Sequence, residues 1–354
     1  MKSALIAMSG GVDSSVAAYL MTKNGYDCVG CTMRLYENDI VGMDLLDTCC
    51  SIENTKDARA VCERIGIPYN IYHYENVFKE EVIDPFIDSY VRGCTPNPCI
   101  DCNKKLKFHH LFSKMTELGL DYIVTGHYGI VEETDNGFVL KKAVDDSKDQ
   151  SYVLYNFTQE QLKHIKLPLG GMHKTDIRAI AEEQGFVNAN KPDSQDICFV
   201  PDGDYASVVD RFNKNYAKGD FVDIKSGKSY GPNKGIIHYT IGQRKGLGIA
   251  AERPLYVVKI DAISGDVFLG DNEDLFNRDM KVKEMNWISG EVPKEDVRCQ
   301  IKIRYKARPQ WATVHSISDD KIEVQFDEPQ RAITPGQSAV LYDGDIVLGG
   351  GIIE

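Results

Sequence analysis

Met8-Ser9-Gly10-Gly11-Val12-Asp13-Ser14-Ser15 decides how the rest of this chain is read. The apolar run from Ala4 to Met8 ahead of it has the length and bias of a buried parallel strand. Behind it, Val16-Ala17-Ala18-Tyr19-Leu20-Met21 continues without glycine or proline to Gly25 and predicts a helix. Asp13 or Ser14 takes the N-cap position in this reading, and Gly25 the C′ position. The two glycines let the backbone turn sharply and approach a ligand closely. Free N–H groups of the first helical turn, together with the serine hydroxyls, then make a cradle for an anion. The loop matches neither G-x-G-x-x-G nor G-x-x-x-x-G-K-[ST]. Without a loop lysine, the usual machinery for γ-phosphate transfer is missing.

The octamer resembles the PP-loop of the ATP pyrophosphatases, which cleave ATP between its α and β phosphates. That resemblance implies a substrate oxygen activated by adenylation, with pyrophosphate leaving. The structural alternative is a glycine turn in an ordinary α/β domain.

The chain has 354 residues, enough for two or three domains. A hydrophobic content of 42% and a charged content of 27% are those of a soluble globular protein. No apolar run reaches membrane-spanning length and the N-terminus enters a strand at once, so no membrane partner and a cytoplasmic location are expected. Ten cysteines, several closely paired, point to a reducing compartment and to catalytic or metal-binding thiols. The net charge of −12 argues against nucleic acid unless cations are locally clustered.

Strand-like and helix-like stretches alternate from residue 1 to about 200, the pattern of a parallel sheet covered on both faces. Strands are expected at Tyr26 to Met33, Tyr69 to Tyr72 and Asp121 to Thr125. Helices are expected at Asn54 to Ile65, Glu75 to Val91 with a kink at Pro85, Leu106 to Leu118 and Thr175 to Gln184. Ligands of such sheets bind beyond the carboxyl ends of strands, which places Met33, Gly126 and His127 near the phosphate loop. Glu132 to Leu140 reads as a hairpin around Asp135-Asn136-Gly137. From about 205 the chain becomes short strands between Gly, Pro and Asn turns, among them Phe221 to Ile224, Ile236 to Ile241, Leu255 to Ile260 and Val267 to Leu269. Six more follow beyond about 275, suggesting a small β-rich module and then a β-barrel.

Cys94-Thr95-Pro96-Asn97-Pro98-Cys99-Ile100-Asp101-Cys102 carries two prolines and a C-x-x-C just ahead of a helix. Cys102 near that N-terminus, followed by Lys104, Lys105 and Lys107, has the surroundings that favour a nucleophilic thiolate. Three readings are open. Zinc would need further ligands from Cys94, His109, His110 or Cys198. A thioredoxin-like dithiol would leave the phosphate loop without a use. In the third reading Cys102 works with the distant Cys198, which alone would pass for a core thiol in Ile197-Cys198-Phe199. Cys28, Cys31, Cys62 and Cys299 read as core, and Cys49-Cys50 have no evident role.

Lys302, Arg304, Lys306 and Arg308 alternate with Ile301, Ile303, Tyr305 and Ala307, so a strand here would line four cations along one face. Side by side they repel, and a phosphate backbone is the natural cover. A solvated edge strand with gatekeeper charges is the alternative. Gly242 to Gly246 and Lys104 to Lys107 add smaller basic clusters, favouring an RNA track in an acidic protein.

Taken together, the chain resembles the bacterial tRNA-specific 2-thiouridylases over nearly its whole length. The resemblance rests on Met8 to Ser15, Thr95 to Asn103, Thr125-Gly126-His127-Tyr128, Lys148 to Tyr152, Asp193 to Phe199, His238 to Gly248 and Pro335-Gly336-Gln337. It implies an α/β, Rossmann-like parallel-sheet PP-loop domain over 1–204, a small central β-rich domain over 205–274 and a C-terminal β-barrel over 275–354 that binds tRNA. It also implies that ATP, with Mg²⁺, adenylates the C2 oxygen of the wobble uridine and that sulfur displaces AMP. By that resemblance Cys198 accepts a persulfide sulfur from an upstream carrier protein, and Cys102 releases or delivers it, leaving a Cys102–Cys198 disulfide. Ala7, Met8, Ser9, Gly10, Gly11, Val12, Asp13, Ser14, Met33 and Gly126 would hold ATP, and Asn97, Pro98 and Cys99 the target base. His127, Lys148, Asp149, Gln150, Arg304, Tyr305 and Gln337 would contact tRNA. Cys99 departs from the aspartate of other members, and with Cys102 and Cys198 it offers three thiolates to an iron–sulfur cluster, a rival route for sulfur. Another ATP-dependent ligase, or an RNA-binding protein with structural zinc, are the alternatives from other classes.

Overall fold

The computed structural model describes residues 1–36, 52–193, 197–200 and 203–354. Cys49-Cys50 and Ser194-Gln195-Asp196 therefore lie outside the described residues.

The first strand, β1 (Ser3–Ala7), is followed by helix α1 (Val12–Lys23), β2 (Asp27–Arg34), α2 (Ile52–Ile65) and β3 (Tyr69–His73). A kinked helix comes next: α3 (Glu75–Phe78), a π turn over Lys79–Ile83, and α4 (Asp84–Val91) with Pro85 in its first turn. The expected bend at Pro85 is thus taken up by a widened turn just before it. The same device recurs in α5 (Pro98–Asp101), a π segment Cys102–His110, and α6 (Leu111–Glu117). The sequence placed this helix start at Leu106. It lies at Pro98 instead, because proline is preorganised for the first helical position and Asn97 caps the turn.

After β4 (Tyr122–Val124) come the hairpin β5 (Ile130–Thr134) and β6 (Gly137–Lys141), then α7 (Gln159–Lys163), β7 (Ile165–Lys166) and α8 (Lys174–Glu183). Strands β3-β2-β1-β4-β7 form one five-stranded parallel sheet in that order. The order reverses at β1, so the crevice between the ends of β1 and β4 is the topological switch point where such sheets bind ligands.

A helix that the sequence reading missed, α9 (Tyr205–Phe212), opens the central part and stacks Tyr205 on Tyr90, ring centroids 6.3 Å apart. A four-stranded sheet follows: β8 (Asp220–Asp223), β9 (Ser229–Pro232), β10 (Tyr256–Ile260) and β11 (Val267–Gly270). Ile236 to Ile241, expected as a strand, instead starts with a 3₁₀ turn over Ile236–His238, behind Gly235 at φ 113°.

The remaining strands are β12 (Phe276–Trp287), β13 (Val297–Lys302), β14 (Gln310–Ser318), β15 (Lys321–Arg331), β16 (Ser338–Asp343) and β17 (Ile346–Ile353). They run β12-β15-β14-β13-β16-β17, and β12 pairs back onto β17 to close a six-stranded barrel. The hairpin β5–β6 extends this sheet by pairing β6 with β17 through Lys141↔Ile346 and Leu140↔Val347. A hairpin that precedes the barrel strands by more than 130 residues is thereby bonded into the barrel. Among the described residues no helix is long and apolar enough to cross a membrane.

The basic stripe is not a strand face. β13 ends at Lys302, and because Ile301 already pairs with Gln310, residues 303–309 must turn between β13 and β14. Arg304 folds back and donates to the carbonyls of Arg331 and Ala332. Lys302 sits over the rings of Tyr152 and Tyr305, 5.7 and 5.8 Å from their centroids. Burial lowers both Lys302 and Arg304 from their ordinary values. Lys306 and Arg308 remain exposed.

Candidate active site

Ala7 ends β1, and Met8 through Gly11 make the turn into α1. The N-cap is Gly11, not Asp13 or Ser14, which lie in the first helical turn. Ser14 turns inward instead, donating to the Gly11 carbonyl at 3.0 Å and accepting from the Ser9 N–H at 3.2 Å. The Ser9 hydroxyl accepts from the Gly11 N–H at 3.3 Å, so the two hydroxyls brace the loop from inside. Gly10 stands at φ 76°, and a Cβ there would meet the Asn54 carbonyl oxygen at 2.2 Å. Gly126, just after β4, approaches from the other side of the switch point, where a Cβ would stand 2.7 Å from the Ser14 nitrogen. Only glycine fits at either place. Asn188, buried beside the loop, donates to both the Gly10 carbonyl and the Ser15 hydroxyl at 2.9 Å.

A lysine distant in sequence reaches the loop. Lys174, at the start of α8, places its Nζ 2.7 and 2.8 Å from the two Asp13 carboxylate oxygens and 2.8 Å from Asp193. Tyr128 donates its hydroxyl to Asp13 at 2.6 Å. Lys148 and Arg178 also reach Asp193, at 2.7 and 3.1 Å. Desolvation works against the Asp193 carboxylate, but its bonds to Lys148 and Lys174 win and hold it at about 2. The sequence reading did not assign Lys174, Asn188 or Arg178 to the site, since each is distant in the chain and unremarkable in its own segment, and Tyr128 entered only within the motif Thr125-Gly126-His127-Tyr128.

His127 follows Gly126 and sets its Nδ1 2.8 Å from the Thr125 hydroxyl. Burial, helped by nearby Lys107, keeps it well below the ordinary histidine range and so neutral. Met33 is buried in β2 within the apolar cluster that also contains Cys31 and Leu5. Gln150 clasps the Gly126–Tyr128 turn, accepting from the Tyr128 N–H with its side chain and donating its own N–H to the Tyr128 carbonyl, both at 2.9 Å. Asp149 accepts from the backbone of Ala143 and Ser151 at 3.1 Å. The Lys148, Asp149 and Gln150 side chains all make bonds within the protein.

Asn97 accepts from the Cys99 N–H at 3.2 Å, which puts Cys99 at the exposed second position of the helix and Cys102 one turn further in, buried. Cys102 borders the same apolar cluster that Cys198 packs against. Phe199, next to Cys198, is wedged edge-on against Phe78 and Phe86, with centroids 5.7 and 5.2 Å away. The π turn between α3 and α4, in turn, accepts Lys105 Nζ on the Glu81 carbonyl at 3.3 Å, joining it to the Cys102 segment. Tyr36 donates to the Cys198 carbonyl at 3.4 Å. One kinked helix thus holds Phe199, next to Cys198, and Lys105, one turn beyond Cys102. From the barrel, Tyr305 donates to the Asp149 carbonyl at 3.1 Å. Gln337 donates to the Thr95 carbonyl at 2.7 Å.

Among the described residues no three His, Cys, Asp or Glu side chains converge as metal ligands. Cys99, Cys102 and Cys198, and likewise Cys94, His109 and His110, are not gathered into such a set among the described residues. Cys28, Cys31, Cys62 and Cys299 are buried core residues. Burial pushes Cys31, Cys62 and Cys299 up to about 12.

Family models match along the chain: a tRNA methyl transferase HUP domain over residues 2–202, a tRNA methyl transferase PRC-barrel domain over 208–271 and an aminomethyltransferase beta-barrel domain over 277–353. A tRNA-specific 2-thiouridylase MnmA of Clostridioides difficile (strain 630) is 52% identical over 100% of this chain and 98% of its own length. One of the same name from Acetivibrio thermocellus is 47% identical over 100% of this chain and 99% of its own. Among solved structures, a 4-thiouridine synthetase–RNA complex with bound ATP covers 57% of this chain and 46% of its own, at 19% identity and a TM-score of 0.38, too distant to bear on function. With relatives this similar over their full length, the chain belongs to the tRNA-specific 2-thiouridylase family of enzymes.

Proposed function

We propose that this enzyme adenylates the C2 oxygen of the wobble uridine of tRNA with ATP and replaces it with sulfur. The reading is supported by an anion cradle at the β1–β4 switch point and by Cys102 and Cys198 packing into one apolar cluster, to which Leu5 and Ala7 of β1 also belong. A carbonyl oxygen leaves poorly at neutral pH, whereas AMP leaves well, so the cradle and the thiols serve consecutive steps. Residues 8–14 and Gly126 would bind the phosphates of ATP, with Ala7 and Met33 beside them. Mg²⁺ takes oxygen ligands from one or two carboxylates and the substrate phosphates, and Asp13 would have to exchange its bonds to Lys174 and Tyr128 to serve as one. Bound there, the ion would neutralise phosphate charge.

In the sulfur step, Cys198 carries a terminal sulfur as a persulfide received from a donor protein. That terminal sulfur attacks C2 of the adenylated base, and AMP departs with the C–O electron pair. The Cys102 thiolate attacks the Cys198 sulfur, breaking the S–S bond and leaving the new sulfur on the base. A Cys102–Cys198 disulfide results, and a dithiol reductant restores it with two electrons. Asn97, Pro98 and Cys99 would face the flipped base. In this proposal residues 1–204 hold ATP and the thiols, 205–274 link, and 275–354 meet tRNA through Tyr305, Lys306 and Arg308, with His127 nearby.

The test is mass spectrometry of nucleosides from unmodified tRNA incubated with the enzyme, ATP and a persulfide donor, with pyrophosphate measured alongside. The expected result is 2-thiouridine together with pyrophosphate. Cys102→Ser and Cys198→Ser should fold, bind ATP and make no thiouridine. Retained thiolation in either would refute that residue's role.

A further inference from the structure

The loop ahead of Cys99 and Cys102 is held from the far end of the chain. The Thr95 N–H donates to the Pro335 carbonyl at 2.9 Å, and Gln337 Nε2 donates to the Thr95 carbonyl at 2.7 Å. Both backbone polar groups of one residue are therefore satisfied by the barrel. Between these two contacts Gly336 stands at φ 91°, where a Cβ would lie 3.0 Å from both Cys94 Cβ and the Thr95 nitrogen. The barrel side is itself fixed: Gly336 N–H donates to the Ile353 carbonyl at 3.0 Å and Ile353 N–H to the Gln337 carbonyl at 2.9 Å. The Thr95 hydroxyl also meets that of Thr240, 3.4 Å away in the central part. Two residues on, Asn97 caps the helix through the Cys99 N–H. With only Pro96 intervening, the helix start must follow wherever Thr95 is held.

We propose that residues 335–337 form a latch on the nucleophile's helix, and that Gln337 is a positioning residue acting through Thr95 to set Cys99 and Cys102 against the base. The inference rests on the proposed thiolation and departs from a tRNA-contacting role for Gln337. A side chain whose amide is spent on a main-chain carbonyl inside the protein controls turnover more than RNA affinity.

The experiment compares the full-length enzyme with Gln337→Met, which keeps the length but loses the donor, and with Gly336→Ala, which leaves the Gln337 side chain intact. Hydrogen exchange is followed over residues 94–102, tRNA affinity by filter binding, and thiolation by kcat and KM. Both variants should speed exchange over 94–102 and keep tRNA affinity and KM, while kcat falls roughly tenfold to a hundredfold. Unchanged exchange in Gln337→Met would overturn the latch. So would a loss confined to tRNA affinity in Gln337→Met with Gly336→Ala behaving as wild type. If Gly336→Ala fails to fold, the exchange and the kcat-against-KM split of Gln337→Met decide alone. If the wild type makes no thiouridine, the proposed function falls, and the exchange comparison still settles the latch.

Discussion

The phosphate loop and the turn between β13 and β14 are both short, polar and rich in the residues that bind anions, yet they are built in opposite ways. In the loop, eight consecutive residues specify nearly all of the geometry: a strand end, a glycine at positive φ, two bracing hydroxyls and a helix start. In the basic turn, four cations at a spacing of two suggest a strand face, and the pairing of Ile301 with Gln310 bends them apart. A turn is encoded by its own residues. A strand face exists only as long as its partner strand does, and that partner's register lies elsewhere in the sequence.

The strongest way to break this contrast is to remove a distant charged group on which the loop depends. Lys174→Met leaves Asp13 and Asp193 facing each other without their shared cation, and unfolding in urea should show a loss of about 3 kcal/mol. Asp193 adds a pH signature. Its folded-state value of about 2 lies below the unfolded value of about 3.9, so its contribution is complete above the latter and is lost as pH falls toward the former. Acid unfolding of Lys174→Met should therefore begin at higher pH than in the wild type.

Next in size, Gly126→Ala drives a Cβ against the Ser14 nitrogen and the Asp13 carbonyl carbon, at 2.7 and 2.8 Å. It should cost about 1–3 kcal/mol of stability and abolish measurable ATP binding by calorimetry. Asn97→Ala removes the cap whose side chain holds the Cys99 N–H, and thermal melting should report a loss of about 1 kcal/mol. The smallest effect belongs to the exposed end of the basic turn. Lys306→Ala or Arg308→Ala should weaken tRNA binding modestly and lower the slope of log affinity against log salt by about 1 each. Arg304→Ala, whose guanidinium is spent on the Arg331 and Ala332 carbonyls, should leave that slope unchanged and lower the melting temperature.

What the sequence disclosed follows the same division. The parallel sheet, the phosphate loop, the hairpin around Asp135-Asn136 and the barrel strands are readable because apolar runs, turn residues and strand-length spacing are local. The start of the Cys102 helix at Pro98 was also local, since Asn97-Pro98 is a cap followed by an N1 proline, but the C-x-x-C drew the reading past it. Lys174 on Asp13 spans 161 residues, and Gln337 on Thr95 spans 242. Nothing in the immediate neighbours of Lys174 distinguishes it, and Pro335-Gly336-Gln337 singles out Gln337 without disclosing its partner, because what each does is fixed by the packing of separate elements. Closure of the barrel through β12 and β17, and the grafting of β5–β6 onto it, are likewise tertiary facts.

The most direct measurement is to let the enzyme, loaded with persulfide and without reductant, make one turnover on tRNA and then to map its disulfides by peptide mass spectrometry. The account predicts one Cys102–Cys198 disulfide for each 2-thiouridine formed. Thiouridine appearing while both cysteines stay reduced would contradict it.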